Sequence, residues 1–177
     1  MQLFKLTGVR FFTSNLNHLD PWPDVAGGSF DDDLFGEVFE HLLNHPLGLL
    51  AQLHRMLRPG GLLLLTTPNP SALANAMCVA LDQHILWGTE DFASIPKIVD
   101  GQIIEKGEIH YREYRSQELR NFLPFTGFQV DVCGYIGLAL PSAVSSVKRL
   151  AKGFLGIVGL TNSRLFAICN YTIARKK

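Results

Sequence analysis

Strand-like and helix-like hydrophobic patterns alternate along the chain. Residues 9–14 and 31–35 have the composition of β-strands, and residues 62–67 (LLLLTT) are an uninterrupted apolar run of strand length. Pro46 suits the first turn of a helix whose leucines recur at helical spacing, and residues 58–61 (RPGG) predict its end. Strands that alternate with helices predict an α/β fold, in which a mostly parallel sheet carries helices on both faces.

The alternation continues to the C-terminus around one irregular segment. Residues 87–114 mix glycine, proline and charge, which predicts an insertion or lid within a single domain spanning residues 1–177. The other expected elements are helices at residues 71–84, 116–127 and 142–155 and strands at residues 128–136 and 164–174. Ser116 is the expected cap of its helix. Phe128, Val130 and Val132 are expected to share one face of their strand.

Composition narrows the classes of protein to which the chain can belong. Its 177 residues are 47% hydrophobic, enough for the core of one domain, and its formal net charge is zero. Neutral charge without a basic patch argues against a nucleic acid partner. The three cysteines form no CxxC pair and no run of 18 apolar residues occurs, which predicts a cytoplasmic protein. Basic residues in segment 142–155 predict a solvated helix face, with peripheral membrane contact as the alternative.

Residues 30–42, FDDDLFGEVFEHL, combine acidic and apolar positions in one short stretch. Ligands of parallel α/β sheets bind at the carboxyl ends of the strands. The ends of the first three expected strands are Asn15-Leu16, Phe35-Gly36-Glu37 and Thr67-Pro68-Asn69. The stretch therefore predicts a strand that delivers an acidic segment to a ligand-binding edge. Asp33 lies within the strand, where a buried carboxylate is costly unless it is paired or protonated.

Three side chains after this strand form a candidate metal site. If a helix begins near Glu37, then Glu37, Glu40 and His41 occupy positions i, i+3 and i+4 and share one face. Two carboxylates and an imidazole suit Mg²⁺, Mn²⁺ or Zn²⁺. In the alternative interpretation, Glu37 interacts with the helix dipole and His41 packs against the sheet.

The string FD-x-x-LF-x-EVFEHL, together with LLAQLHRMLRPGGLLLLTTPN and the later IHYREYRSQELRNFLPFTGFQV, resembles class I S-adenosylmethionine-dependent methyltransferases. The resemblance implies a Rossmann-like sheet whose last strand is antiparallel. It also implies that S-adenosylmethionine lies beside five residues at the strand ends: Asn15, Leu16, Phe35, Gly36 and Glu37.

A second resemblance concerns the metal. The string E-x-x-E-H followed by H-x-x-E-[WY] is similar to metal-dependent 2′-O-methyltransferases of small RNAs and to ubiquinone-pathway O-methyltransferases. Carried over to this chain, it implies four ligands for a divalent metal: Glu37, Glu40, His41 and His110.

The chain also departs from the family, because no Gly-x-Gly turn precedes Asn15. We therefore expect a truncated domain that lacks the first two strands of the sheet and binds the cofactor weakly on its own. The expected function is O-methylation of a small molecule, a quinone or another lipid, or a glycan. A non-catalytic methyltransferase-like binding module and a metal-dependent small-RNA 2′-O-methyltransferase are the alternatives.

Overall fold

The structure is a computed structural model that describes residue 16 and residues 25–43, 46–83, 85, 97–99, 102–104, 110–137 and 163–177. The strands are β1 (Phe30–Gly36), β2 (Leu57–Pro68), β3 (Lys97–Val99), β4 (Gln102–Ile104), β5 (Phe128–Ile136) and β6 (Cys169–Lys176). The α-helices are α1 (Pro46–Met56), α2 (Leu73–Ala80) and α3 (Ser116–Phe122), and 3₁₀ turns occupy Phe39–His41 and Leu123–Thr126. The elements predicted at residues 9–14 and 142–155 lie outside the described residues.

Four strands form one sheet in the order β1-β2-β6-β5, and β3 pairs with β4 in a separate antiparallel sheet. β1 and β2 are parallel, while β6 is antiparallel to both of its neighbours, β2 and β5. β5 therefore runs in the same direction as β1 and β2. The prediction of an α/β fold with a mostly parallel, Rossmann-like sheet and an antiparallel last strand is confirmed.

β2 is an interior strand, and its burial alternates along the chain. Leu63, Leu65 and Thr67 are fully buried on one face of β2, whereas the residues between them are partly exposed. Helices α1 and α3 pack on the buried face and contribute Leu50, Leu53 and Leu119 to the same hydrophobic core. The apolar run therefore forms an interior strand, but it alternates in burial and contributes one fully buried face to the hydrophobic core.

Three sequence predictions need correction at this level. Helix α1 ends at Met56 instead of at the RPGG stop, because Leu57 already begins β2 and pairs with Phe30. The residue that caps α3 is Arg115, whose backbone N–H donates to the Glu118 carboxylate at 2.9 Å, and not Ser116. A register shift in β5 between Val130 and Val132 leaves Val132 43% exposed, so it does not share the buried face of Phe128.

Helix α2 differs from the other helices because none of its residues is buried. Leu73, Met77 and Leu81, which helical spacing places on one apolar side, are 40%, 43% and 65% exposed. The described part of segment 87–114 includes the β3-β4 pair, so the segment is partly regular. Among the described residues, no helix has the length and apolar character that crossing a membrane requires.

Candidate functional site

The candidate site lies at the carboxyl end of the parallel strands β1 and β2. Gly36 pairs with Thr66 at the end of the β1-β2 ladder, so the residues that follow the two strands emerge at one edge. The Glu37 backbone N–H donates to the Thr66 carbonyl at 3.0 Å. Asn69, which follows β2, is buried, and its amide group donates to the backbone carbonyls of Arg164 and Ala167. Gly36 and Asn69 therefore share the predicted edge, and the side chain of Asn69 serves the fold there.

Glu37 does not begin a helix, contrary to the sequence prediction. Its φ of +52° places it in the left-handed region, which residues other than glycine adopt rarely and at a cost. The 3₁₀ turn begins only at Phe39, after Val38 as its cap. Glu37 consequently does not share a helical face with Glu40 and His41.

Phe39 anchors the turn that carries Glu40 and His41. Its ring is fully buried and contacts the ring of Tyr114 with 4.7 Å between centroids, and the ring of Phe35 with 6.4 Å. Burial of such an aromatic side chain fixes the turn against the core. The two residues after it are therefore held in place at the edge of the sheet.

Glu40 is a buried carboxylate with a specific hydrogen-bond partner. It is 1% exposed, and its Oε2 accepts a hydrogen bond from Thr67 Oγ1 at 2.9 Å. Its Oε1 lies 3.8 Å from His41 Nε2. The Glu40 backbone carbonyl accepts hydrogen bonds from the N–H groups of Tyr111 at 2.8 Å and Arg112 at 3.3 Å. These two bonds bring a distant part of the chain, which includes His110, to the turn.

His110 completes a cluster with Glu40 and His41. Its ring meets the His41 ring edge-on, with 4.8 Å between centroids. One potential ligand atom from each of Glu40, His41 and His110 lies within 4.8 Å of the others. A bound ion at about 2.0–2.2 Å from each ligand would require these atoms to approach each other to roughly 3–3.5 Å. The three side chains therefore fit a divalent cation after a small contraction, and their mixed nitrogen and oxygen donors suit Zn²⁺ or Mn²⁺.

Of the four ligands that the sequence implies, the structure brings together Glu40, His41 and His110, and Glu37 lies outside their group. Glu37 is exposed and takes part in a hydrogen bond with the Cys169 side chain. Burial, followed by the charge of Glu37 and this hydrogen bond, raises the pKa of the Cys169 thiol to about 11. Cys169 is thus a protonated neighbour of the site at neutral pH.

Glu113 is a further residue of the site and is not among the four metal ligands that the sequence implies. Its Oε1 lies 3.2 Å from His110 Nδ1, and its side chain is 11% exposed. Burial raises the pKa of the Glu113 carboxyl, the hydrogen bond and charge of His110 oppose this, and the charges of Glu40 and Glu37 add to it. Three carboxylates therefore influence one another here, and the titratable side chains that the structure places beside Glu40 and Glu113 are histidines. A cation would relieve this concentration of negative charge.

The proposed cofactor residues are only partly described. Asn15 lies outside the described residues, whereas Leu16 and Phe35 are partly buried and pack against the core. Gly36 is exposed at the end of β1, and a Cβ added to it would lie 3.1 Å from Thr66 Oγ1. Gly36 thus keeps the backbone open at this edge, as close approach of a ligand would require.

Comparison with known proteins identifies the family. The family model described as a methyltransferase domain matches residues 23–131, which include β1, β2, α3 and the whole Glu40–His41–His110 cluster. The chain belongs to the class I S-adenosylmethionine-dependent methyltransferases.

Individual methyltransferases resemble it at lower coverage. A ubiquinone biosynthesis O-methyltransferase from Parvibaculum lavamentivorans is 38% identical over 72 residues, which are 38% of this chain and 28% of that protein. A solved S-adenosylmethionine-dependent methyltransferase from Archaeoglobus fulgidus superposes with a TM-score of 0.52 at 15% identity, over 93% of this chain and 66% of that one.

A possible histamine N-methyltransferase from Thermotoga maritima superposes with a TM-score of 0.56 at 12% identity, over 99% of this chain and 68% of that one. At such low identity the two solved structures support the methyltransferase fold alone. The curated relative matches over little more than a quarter of its own length, so its activity does not transfer directly to this methyltransferase chain.

Proposed function

We propose that the chain is the part of an S-adenosylmethionine-dependent O-methyltransferase that holds a divalent metal and the methyl acceptor. The acceptor is a hydroxyl group of a small molecule, a quinone or another lipid, or a glycan. One observation carries the proposal: Glu40, His41 and His110 converge at the strand-end edge of a methyltransferase domain, next to Gly36 and Glu37.

The position of the cluster supports a role in catalysis. In parallel α/β sheets the ligand lies beyond the carboxyl ends of the strands, and the turn that carries Glu40 and His41 is the first element after β1. Phe35, Gly36 and Glu37 would flank the methionine part of S-adenosylmethionine, with Asn15 and Leu16 near its adenine. Glu40, His41 and His110 would hold the metal.

The chemistry of methyl transfer agrees with these separate roles for the cofactor-binding residues and the metal ligands. Transfer from a sulfonium to oxygen is a direct displacement, so most of the acceleration comes from holding the two reactants in line. A bound divalent cation would lower the pKa of an acceptor hydroxyl and orient it. An acceptor with two adjacent hydroxyl groups suits such a site best, because both oxygens can bind the same ion. The name of the curated relative, a ubiquinone biosynthesis O-methyltransferase, agrees with an acceptor of the quinol type.

A radiolabel transfer assay tests the proposal. The chain is incubated with methyl-labelled S-adenosylmethionine and either a catechol or a glycan acceptor, in Mn²⁺, Mg²⁺ or Zn²⁺ or in a chelator. We expect transfer to the catechol in the presence of a divalent metal, and we expect the chelator to abolish it. Equal transfer in chelator would contradict a metal role, and the absence of transfer to either acceptor would favour a non-catalytic binding module.

Matched variants locate the activity. Glu40→Gln and His110→Asn each remove one candidate ligand and are expected to lower transfer by at least tenfold. Glu118→Gln, which changes a carboxylate that pairs with Arg112 outside the cluster, serves as the control. A loss of the same size in Glu118→Gln would indicate general damage to the fold instead of loss of a ligand.

A further inference from the structure

We propose that Glu113 is a positioning residue that selects the tautomer of His110 and presents its Nε2 atom to the metal. The inference rests on the proposed metal site, but it concerns a residue outside the four implied ligands. Its starting observation is the distance of 3.2 Å between His110 Nδ1 and Glu113 Oε1.

The hydrogen bond assigns different tasks to the two ring nitrogens of His110. A carboxylate only accepts, so the bond requires a proton on Nδ1. A neutral ring that carries its proton on Nδ1 has a lone pair on Nε2, which is the atom that can bind a cation. Metal-binding histidines usually donate their second ring N–H to a carboxylate or carbonyl in this way, which fixes the tautomer and the ring orientation.

The backbone around Glu113 is fixed on both sides, so its carboxylate is held close to the ring. On one side, Tyr111 and Arg112 donate their N–H groups to the Glu40 carbonyl. On the other, the Tyr114 carbonyl accepts a hydrogen bond from Asn170 Nδ2 at 2.7 Å, and its ring packs on Phe39. Glu113 is therefore tied to the same buried turn that carries the candidate ligands.

The buried Glu113 carboxylate pairs with His110 and not with the arginines nearby. Glu113 Oε2 is buried and has no hydrogen-bond partner, so the interaction with His110 is the one that the structure gives this side chain. Glu118, five residues later, contrasts with it, because its carboxylate meets Arg112 at 2.7 Å and the Arg115 backbone N–H at 2.9 Å. Of these two neighbouring carboxylates, Glu113 alone pairs with the cluster.

Two readouts on the intact chain test the inference. Nitrogen-15 NMR of the metal-free protein reports which ring nitrogen of His110 is protonated, and titration calorimetry with Zn²⁺ or Mn²⁺ reports affinity. In wild type we expect the Nδ1–H tautomer. Glu113→Ala is expected to lose this preference and to bind metal about 10–100-fold more weakly. Glu113→Gln keeps an accepting oxygen and is expected to retain the tautomer and most of the affinity, while Glu118→Gln is expected to change neither.

The outcomes distinguish a failure of the role of Glu113 from a failure of the proposed metal site. If wild type binds metal and Glu113→Ala binds it equally well with an unchanged tautomer, the positioning role is overturned while the metal site stands. If wild type binds no metal, the metal site fails and the inference fails with it. A Glu113→Ala protein that is unfolded by circular dichroism makes Glu113→Gln decisive: retention of the tautomer supports the role, and its loss overturns it.

Discussion

Two acidic regions that lie a few residues apart in the sequence behave differently in the fold. Within β1, Asp33 has a buried Oδ2 without a partner, and burial together with the nearby Asp32 raises the pKa of its carboxyl to about 6. At the turn after β1, Glu40 is more deeply buried, yet it accepts a hydrogen bond from Thr67 and lies beside His41. Burial of a carboxylate therefore does not define a site, because the partners around it decide its role.

The difference follows from the geometry of a sheet. Inside β1 the side chain of Asp33 points to the face that also carries Leu63, its partner on β2, so it meets apolar neighbours. Beyond the strand end, the chain leaves the sheet and other segments approach, as Tyr111 and Arg112 do at the Glu40 carbonyl. Beyond the end of β1, Glu40 thus meets donors from other elements, whereas Asp33 Oδ2 within β1 has no partner.

Among the variants that test the difference between β1 and the turn after it, removal of the Phe39 ring is expected to change stability most. Phe39→Ala should lower the free energy of unfolding by about 3–5 kcal/mol, because the ring is fully buried and packs on Tyr114. It should also abolish metal binding, since the turn that carries Glu40 and His41 loses its anchor. Chemical denaturation measures the first effect and calorimetry the second.

Leu34→Ala is the matched control for the strand region, because Leu34 on β1 is 77% exposed. We expect a change within about 0.5 kcal/mol and no effect on metal binding. Similar losses in the two variants would mean that the turn is no better anchored than the exposed face of β1.

The next largest effect concerns the hydroxyl group that pairs with Glu40. Thr67→Val keeps the shape of a fully buried side chain but removes the donor at 2.9 Å from Glu40 Oε2. We expect a loss of about 1.5–3 kcal/mol, the range for a hydrogen bond to a charged group, in thermal or urea unfolding. Thr66→Val, on the opposite face of β2, is the control. If Thr67→Val lowers the free energy of unfolding no more than Thr66→Val does, the hydrogen bond from Thr67 does not stabilise Glu40, and Glu40 then resembles Asp33.

Local patterns were sufficient to predict most of the sheet. The apolar run in β2, the proline at the start of α1 and the carboxyl-edge position of Gly36 all follow from spacing and composition within a few residues. The end of α1 and the register shift in β5 did not, because strand pairing with distant residues determines both. Propensity gives way where such tertiary contacts decide the backbone.

The same distinction separates the predicted from the missed parts of the site. Glu40, His41 and His110 were candidates because of their residue types and spacing. The helical geometry assumed for Glu37 was wrong, since its left-handed backbone accompanies a hydrogen bond to Thr66, 29 residues away in the numbering. The partner of Glu40, Thr67, is 27 residues away in the sequence. Side chains that complete a site from another strand carry no local signal.

Asp33→Asn is expected to stabilise the protein at neutral pH. Raising the carboxyl pKa from 3.8 to about 6 corresponds to at most roughly 3 kcal/mol, and partial solvent access reduces the expected gain to about 1–2 kcal/mol. The folded protein holds this proton more tightly than the unfolded chain does. The penalty is therefore absent below about pH 4, grows as the pH rises through about 6, and is complete above it.

Urea unfolding of wild type and Asp33→Asn across that pH range measures the difference. The two stabilities should converge in acid and separate as the pH rises. Asp32→Asn, at an exposed position of the same strand, is expected to have a smaller effect. Parallel pH profiles for wild type and Asp33→Asn would show that folding does not raise the pKa of Asp33, and the contrast with Glu40 would then weaken.

The smallest change in the free energy of unfolding is expected for replacement of Asp31, the first of the three aspartates in β1. Asp31 pairs with Arg58 at 2.8 Å, but the two side chains are 69% and 62% exposed. Exposed ion pairs contribute about 0–1 kcal/mol because water screens them and two long side chains must be ordered. Asp31→Asn should therefore change the free energy of unfolding by no more than about 0.5 kcal/mol, and added salt should diminish even that. Asp31→Asn could instead lose as much stability as Thr67→Val. The exposed acidic residues of β1 would then contribute to the fold as strongly as Glu40 does, and the presence of a buried hydrogen-bond partner would no longer explain the difference between the two regions.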